Sequence, residues 1–373
     1  METWAFFIFI LYFISYCWNV IQLFFIFLFS LNQSSFASTA VVKSLQSNHI
    51  NNDEYTYLFP TKLLELPDQI VFRTGSNAAT NPSSRPSAWI KSTFTDKYVI
   101  GLTLGRQSDL VDFSRQLSNI NMVSNFDYTA NSINVNYATL HEGQSYSLGF
   151  FYADKNDKYN QIGNHAGTIN LGFRMDDFSF GAVIGLYNTV ETNLLKRLAI
   201  NQSFAGSMAY ELDDILFLLD LSSSHARQFN LAIQPNAQTD DFEFLNYKMG
   251  IVKNIYNGHE LLFYRINLET DQLKNRQSLK SMKTVKLPLM IGFQSDLNES
   301  LTMRSSIRQT IGVSQSDDVP AGLNTTLAAV GLAFNFNQLV VDGLMQGLVG
   351  PAASQQINQN QFLSEISVTY LFN

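Results

Sequence analysis

The chain has 373 residues, a formal charge of −7 and a sequence pI near 5.2, and only 15% of its residues are charged. Its 24 Lys and Arg are scattered, so no basic stripe could neutralise phosphates, and a nucleic-acid partner is excluded. Mean hydropathy is close to zero although Phe and Tyr number 30 and 16, a balance that fits neither an aqueous enzyme nor a helical membrane protein.

The first element is apolar. Trp4 to Leu31 reads WAFFIFILYFISYCWNVIQLFFIFLFSL, enough to span a bilayer, and NQSSFASTA follows. Ser35 with Ala37, or Ser38 with Ala40, supplies the small residues of a signal cut, so 1–40 reads as a signal peptide cleaved after Ala37 or Ala40. Glu2 is the only charge before Lys43, so the basic start of a signal is missing, and the competing reading is an uncleaved anchor helix. Cys17, the sole cysteine, lies inside this run, which leaves the rest of the chain without disulfides or thiolate zinc sites. The histidines at 49, 141, 165, 225 and 259 never fall at metal-ligand spacing; no metal and no cofactor is expected.

Beyond residue 85 a period of two dominates. SYSLGFFY sets Tyr146, Leu148, Phe150 and Tyr152 on one side. In GTINLGFRM, Ile169, Leu171, Phe173 and Met175 alternate with Thr168, Asn170, Gly172 and Arg174. FSFGAVIGL aligns Phe178, Phe180, Ala182, Ile184 and Leu186, and the pattern recurs at Leu245 to Ile251, Leu262 to Leu268 and Val330 to Phe336. The last strand, 361–372, carries Ile366, Val368, Tyr370 and Phe372 on its apolar face. One alternating strand is ordinary, but about fifteen, each with an apolar face and a Gly, Ser and Asn-rich face, match a closed barrel in a membrane, apolar outward and wet inside. The expected fold is all-β, a closed antiparallel transmembrane β-barrel.

Connections alternate in size. Short ones fall at 95–97, 140–144, 175–177, 212–214, 254–259, 295–299 and 337–338; long ones at roughly 106–130, 154–166, 188–202, 223–240, 270–283, 314–324 and 348–360. Short periplasmic turns and long external loops are the habit of outer-membrane barrels. An even strand number requires one more strand before Ser87, and DQIVFRTG (68–75), the weakest of the set, is the candidate. The barrel then runs over 68–373 with about sixteen strands, in a range of fourteen to eighteen. Residues 41–67 become a periplasmic or lumen-lying extension.

On these features the chain resembles the bacterial general porins and their outer-membrane relatives. The closing ISVTYLF is similar to the C-terminal strand signature read by the barrel-assembly machinery, except that Asn373 follows Phe372 where the family ends on the aromatic. The resemblance implies an integral outer-membrane protein, in contact with lipid and lipopolysaccharide, often a homotrimer, that passes small hydrophilic solutes passively. A weaker resemblance lies in GSNAATNPSSRPSAW, similar to the Asn-Pro stretch of outer-membrane long-chain fatty-acid transporters, and it implies a barrel plugged by an N-terminal hatch.

If apolar faces meet lipid, phase assigns the inward charges. Lys248, Arg265, Arg304 and Arg308 form a basic set and Asp342 and Glu365 an acidic set, with Asp109 and Asp112 joining the acids if loop 106–130 folds inward. Two roles compete: opposed arcs across a constriction that set ion preference, or salt bridges that support the wall. SSSHARQ places Ser222 to Ser224 beside His225, but strand neighbours point to opposite faces and make poor catalytic partners, so no enzyme is expected. A third class, an adhesive barrel, has no supporting motif in the loops.

Overall fold

The computed structural model describes residues 59–75, 87–95, 97–105, 131–157, 162–191, 196–230, 238–315, 324–349 and 365–372. Sixteen strands among them close into one antiparallel ring, each paired with its neighbours in sequence. In chain order they are β1 (Gln69–Gly75), β2 (Ser87–Thr95), β3 (Tyr98–Leu104), β4 (Asn131–His141), β5 (Gln144–Asp157), β6 (Ile162–Met175), β7 (Phe178–Glu191) and β8 (Lys196–Leu212). There follow β9 (Ile215–Asn230), β10 (Gln238–Asn257), β11 (Glu260–Asn275), β12 (Ser281–Asn298), β13 (Leu301–Gln315), β14 (Thr325–Phe336), β15 (Leu339–Val349) and β16 (Glu365–Leu371).

The ring closes where parity required it. β1 pairs with β16, Gln69 opposite Leu371 and Ile70 opposite Tyr370, and the Phe372 N–H donates to the Asp68 carbonyl at 3.0 Å. Within β16, Glu365, Ser367 and Thr369 are buried inward, whereas Ile366 and Val368 are half-buried and Tyr370 is exposed on the outer face.

Among the described residues six short turns contain two residues, and in five of them the sequence suits a left-handed backbone. Glu142 and Gly143 both have positive φ, the pattern of a type I′ hairpin, and Asp176, Asp213, Gly258 and Asn337 take positive φ in four others. The long connections are shorter than the alternation implied. β10 runs for 20 residues and β12 for 18, through segments expected as loops. About ten residues suffice to cross a bilayer, so the upper parts of these strands extend past that length, with a polar outer face at Thr239, Asp241 and Glu243 of β10 where the apolar alternation stops.

Bulges interrupt the register at several points and shift the phase. The β6–β7 register slips between Gly167 and Thr168, which leaves Leu186 and Tyr187 both exposed outside, with the Tyr187 ring lying over the bare Gly167. A second slip lies between Ile200 and Gln202. Around the outside, exposed residues such as Tyr98, Ile100, Tyr137, Leu148, Phe150, Leu219, Ile251 and Ile307 form a continuous apolar belt. Tyr98 stacks on Tyr137 with centroids 6.2 Å apart, and Tyr370 on Phe372 at 6.5 Å, in an aromatic band at the short-turn end.

The interior corrects one expectation. It is not wholly small and polar: Phe151, Leu198, Phe242, Phe244, Phe263 and Leu273 belong to a buried apolar cluster on the inward face. On β10 both faces are apolar in places, so Leu245 to Ile251 revealed the outer set and concealed Phe242 and Phe244.

Candidate functional site in the barrel lumen

The inward charges lie on one stretch of wall. Strand register sets Asp220 of β9 opposite Lys248 of β10, Lys248 opposite Glu269 of β11, and Glu269 opposite Lys286 of β12, one alternating row across four strands. Lys248 Nζ is 3.4 Å from Glu269 Oε1, and Arg308 reaches the same carboxylate at 3.7 Å. Asp220 accepts a hydrogen bond from Ser207 at 2.7 Å; Asp271, one row along, accepts from Asn246 at 2.6 Å and from Lys286 at 3.1 Å. Arg265, buried, donates to Asn267 at 2.8 Å.

Further round, Arg304 of β13 reaches across β14 to Asp342 of β15, Nη1 to Oδ1 2.9 Å, while its Nε donates to Gln294 at 3.0 Å. The strand between offers Gly331 and Ala333 at the registers facing Arg304 and Asp342, and both are buried, so nothing blocks the reach. Arg73 of β1 lies within electrostatic range of Glu365 and Asp342. Opposite charges are therefore interleaved along the wall rather than gathered into two facing arcs. Asp109 and Asp112 lie outside the described residues. The sequence reading missed Asp220, Glu269, Asp271, Lys286 and Arg73, although Glu269 shares the inward phase of Arg265 four residues earlier.

The other half of the wall carries fewer charges and is partly covered. A 3-10 helix, Pro60–Glu65, lies inside the barrel against β3 to β6 near the short-turn end. Its seat is made by glycines on the inward face: a Cβ at Gly101 would stand 2.9 Å from Leu63, and one at Gly172 would stand 3.1 Å from Pro60. Glu65 pairs with Arg174 of β6 and, at 3.0 Å, with Lys62. Burial, with Arg174 nearby, pulls Lys62 down to about 8, against the opposing pull of Glu211. Where the helix ends, Asp68 takes hydrogen bonds from Lys91 at 2.7 Å and from Thr93. Burial alone would raise the Asp68 carboxyl, but those bonds hold it below the ordinary carboxylate range. The inward glycines at 101 and 172 were the sequence signal for the helix seat.

Ser222 and Ser224 face inward, while His225 contacts Asp241 on the opposite face of the sheet, so the run at 222–225 is not brought together as a nucleophile and base.

Solved structures resemble this ring at low identity. The anion-selective porin from Comamonas acidovorans aligns at 10% identity and TM-score 0.40 over 82% of this chain and 97% of that one. The fold is that of an outer-membrane-type β-barrel. It stands on the closed sixteen-stranded ring and its apolar belt. CdiB from Acinetobacter baumannii aligns at 8% identity and TM-score 0.42 over 82% of this chain, which spans 59% of the length of CdiB. The toluene transporter TodX of Pseudomonas putida aligns at 10% identity and TM-score 0.33, over 83% of this chain and 89% of that one. No protein-family model and no curated protein matches the chain.

Proposed function

We propose that the chain is an integral outer-membrane channel for passive diffusion of small hydrophilic solutes, exported by its N-terminal segment and assembled through its last strand. The observation that carries this reading is the row Asp220, Lys248, Glu269 and Lys286, continued by Arg308, Arg304 and Asp342, on the inward face of a ring whose outer face is apolar. Charged groups on a lumen wall attract hydrated ions and polar solutes and repel hydrocarbon. The interleaving of the charges supports a wall that stays polar while carrying little net field, hence weak ion selectivity. The test is the reversal potential of the refolded protein in a planar bilayer under a salt gradient. Replacing Arg265, Arg304 and Arg308 by Gln should move it toward cation preference; an unchanged value in conducting channels would remove these residues from the conduction path.

A second reading, a plugged transporter of hydrophobic compounds, draws on the lumenal helix Pro60–Glu65 and the inward apolar cluster of Phe242, Phe244 and Leu273. It predicts saturable binding of a fatty acid, and it lacks an account of the charged row.

A further inference from the structure

The wall beside the lumenal helix contains buried polar groups with no hydrogen-bond partner among the described residues. Asn136 of β4, Gly149 of β5 and Asn170 of β6 stand opposite one another in register. With no side chain on Gly149, the Asn136 carboxamide lies over it, and Asn170 Cβ comes within 3.2 Å of where a Cβ at 149 would be. One row along the same strands lie Trp89, Thr103, Asn134, Phe151 and Thr168. Asn134, Asn136, Asn170 and Trp89 are all buried to 1% exposure or less. Both carboxamide heteroatoms of Asn134 and of Asn136, Nδ2 of Asn170, Oγ of Ser147 and Nε1 of Trp89 have no hydrogen-bond partner among the described residues.

Leaving a polar group buried and unpaired costs about 1–3 kcal/mol, so a ligand that pairs with these groups gains by doing so. Leu63 lies over Gly101, and Ser147 and Pro60 lie over Gly172; the hydroxyl of Thr61, buried on the same helix, makes no hydrogen bond to this patch among the described residues.

We propose that this face of β2 to β6 is a binding subsite for neutral polyhydroxylated solutes, sugars or polyols, which the segment Phe59–Leu66 closes until it is displaced. The inference rests on the channel reading above. A carboxamide offers a donor and an acceptor side by side, and so does each hydroxyl of a polyol. Two asparagines across a bare glycine can take adjacent hydroxyls, and the Trp89 indole adds an N–H donor and an apolar ring for the carbon face of a sugar. The unpaired set contains no charge. Lys91 and Arg174, cations whose side chains are described on these strands, are already held by Asp68 and Glu65.

The chain has three tryptophans, and the other two, Trp4 and Trp18, lie in the first forty residues. With both changed to Phe, Trp89 reports on the site directly in the folded full-length protein in detergent. Titration with maltose should give a saturable fluorescence change, whereas potassium gluconate should give none. Asn136→Ala with Asn170→Ala, in protein shown to be folded by its heat-modifiable migration, should raise the half-saturating maltose concentration roughly tenfold. Leu63→Cys with Gly101→Cys in a Cys17→Ser background provides an independent arm, because Leu63 Cγ is 3.7 Å from the Cβ position at 101. Oxidation should abolish the maltose response and reduction restore it. No saturable response, which would mean the amides are merely hydrated, overturns the subsite. So does an equal response to gluconate, or indifference to the asparagine and disulfide changes. Failure of the channel reading shows separately, as absence of potassium chloride current.

Discussion

Arg304 and Asp342 form an ion pair, 2.9 Å between Nη1 and Oδ1, with side chains only 2% and 3% exposed, although an entire strand lies between theirs. The pair bridges β13 and β15 over the small residues Gly331 and Ala333. Breaking a buried pair from one side leaves a charge with no partner, a loss of roughly 3–5 kcal/mol, while removing both together is far milder. Arg304→Gln and Asp342→Asn should each lower the urea midpoint of the folded barrel, and the double change should recover much of the loss. Additive losses would show that the two side chains act independently.

The lumenal helix should respond to the space beneath Leu63. Gly101→Phe puts a ring where the Leu63 side chain rests. The helix should then be displaced, and time-averaged conductance should rise, with no change in the migration that marks a folded barrel. A conductance equal to that of the parent protein would mean that Pro60–Glu65 does not obstruct the path.

Lys62 makes docking of that helix pH-dependent. Its value when docked is about 8, below the ordinary 10.5, because burial and Arg174 disfavour its charge. Between those two values the free segment binds more protons than the docked one, so docking strengthens as pH rises through this window. Below about pH 8 the lysine is charged in both states and the dependence vanishes. Closed dwell times should lengthen as pH rises above 8, and Lys62→Met should remove this trend. Lengthening toward acid would reverse the sign and refute the assignment.

The seam between the first and last strands has its own lock. Asp68 accepts from Lys91 and Thr93 through its carboxylate and from Phe372 N–H through its carbonyl. Because the folded carboxyl is held low, its contribution is present above the ordinary carboxylate value of 3.8 and is lost as pH falls below it. Asp68→Asn should weaken the seam by about 1 kcal/mol at neutral pH, read as a lower temperature for loss of the compact band. It should also remove the difference between pH 7 and pH 3 that comes from this group.

The ring itself was legible because lipid imposes one rule on every strand: the outward residue is apolar. That rule exposed β4 to β7, and parity then demanded β1, whose seven residues alone gave almost no signal. Residues governed by the interior were harder to read. Phe242 and Phe244 face inward on a strand whose outer face is also apolar, so period two could not separate them from Leu245 and Tyr247. The far end of tall β10, Gln238 to Asp241, is polar on both sides and resembled a loop. Lys248, Arg265, Arg304 and Arg308 could be assigned a face by phase, but not a partner. Partners such as Glu269 and Asp342 depend on inter-strand register, and in the case of Arg304 on the absence of a side chain at Gly331. The seat of the lumenal helix was written in glycines at 101 and 172, which in one dimension look like any other glycine in a strand.

Conduction of hydrophilic solutes through the polar lumen is measured most directly by single-channel recording of the refolded chain in potassium chloride. Discrete, reproducible steps with weak ion preference that persist across voltages are the expected result. Silence from protein shown to be folded and inserted, together with saturable binding of a fatty acid, would contradict it.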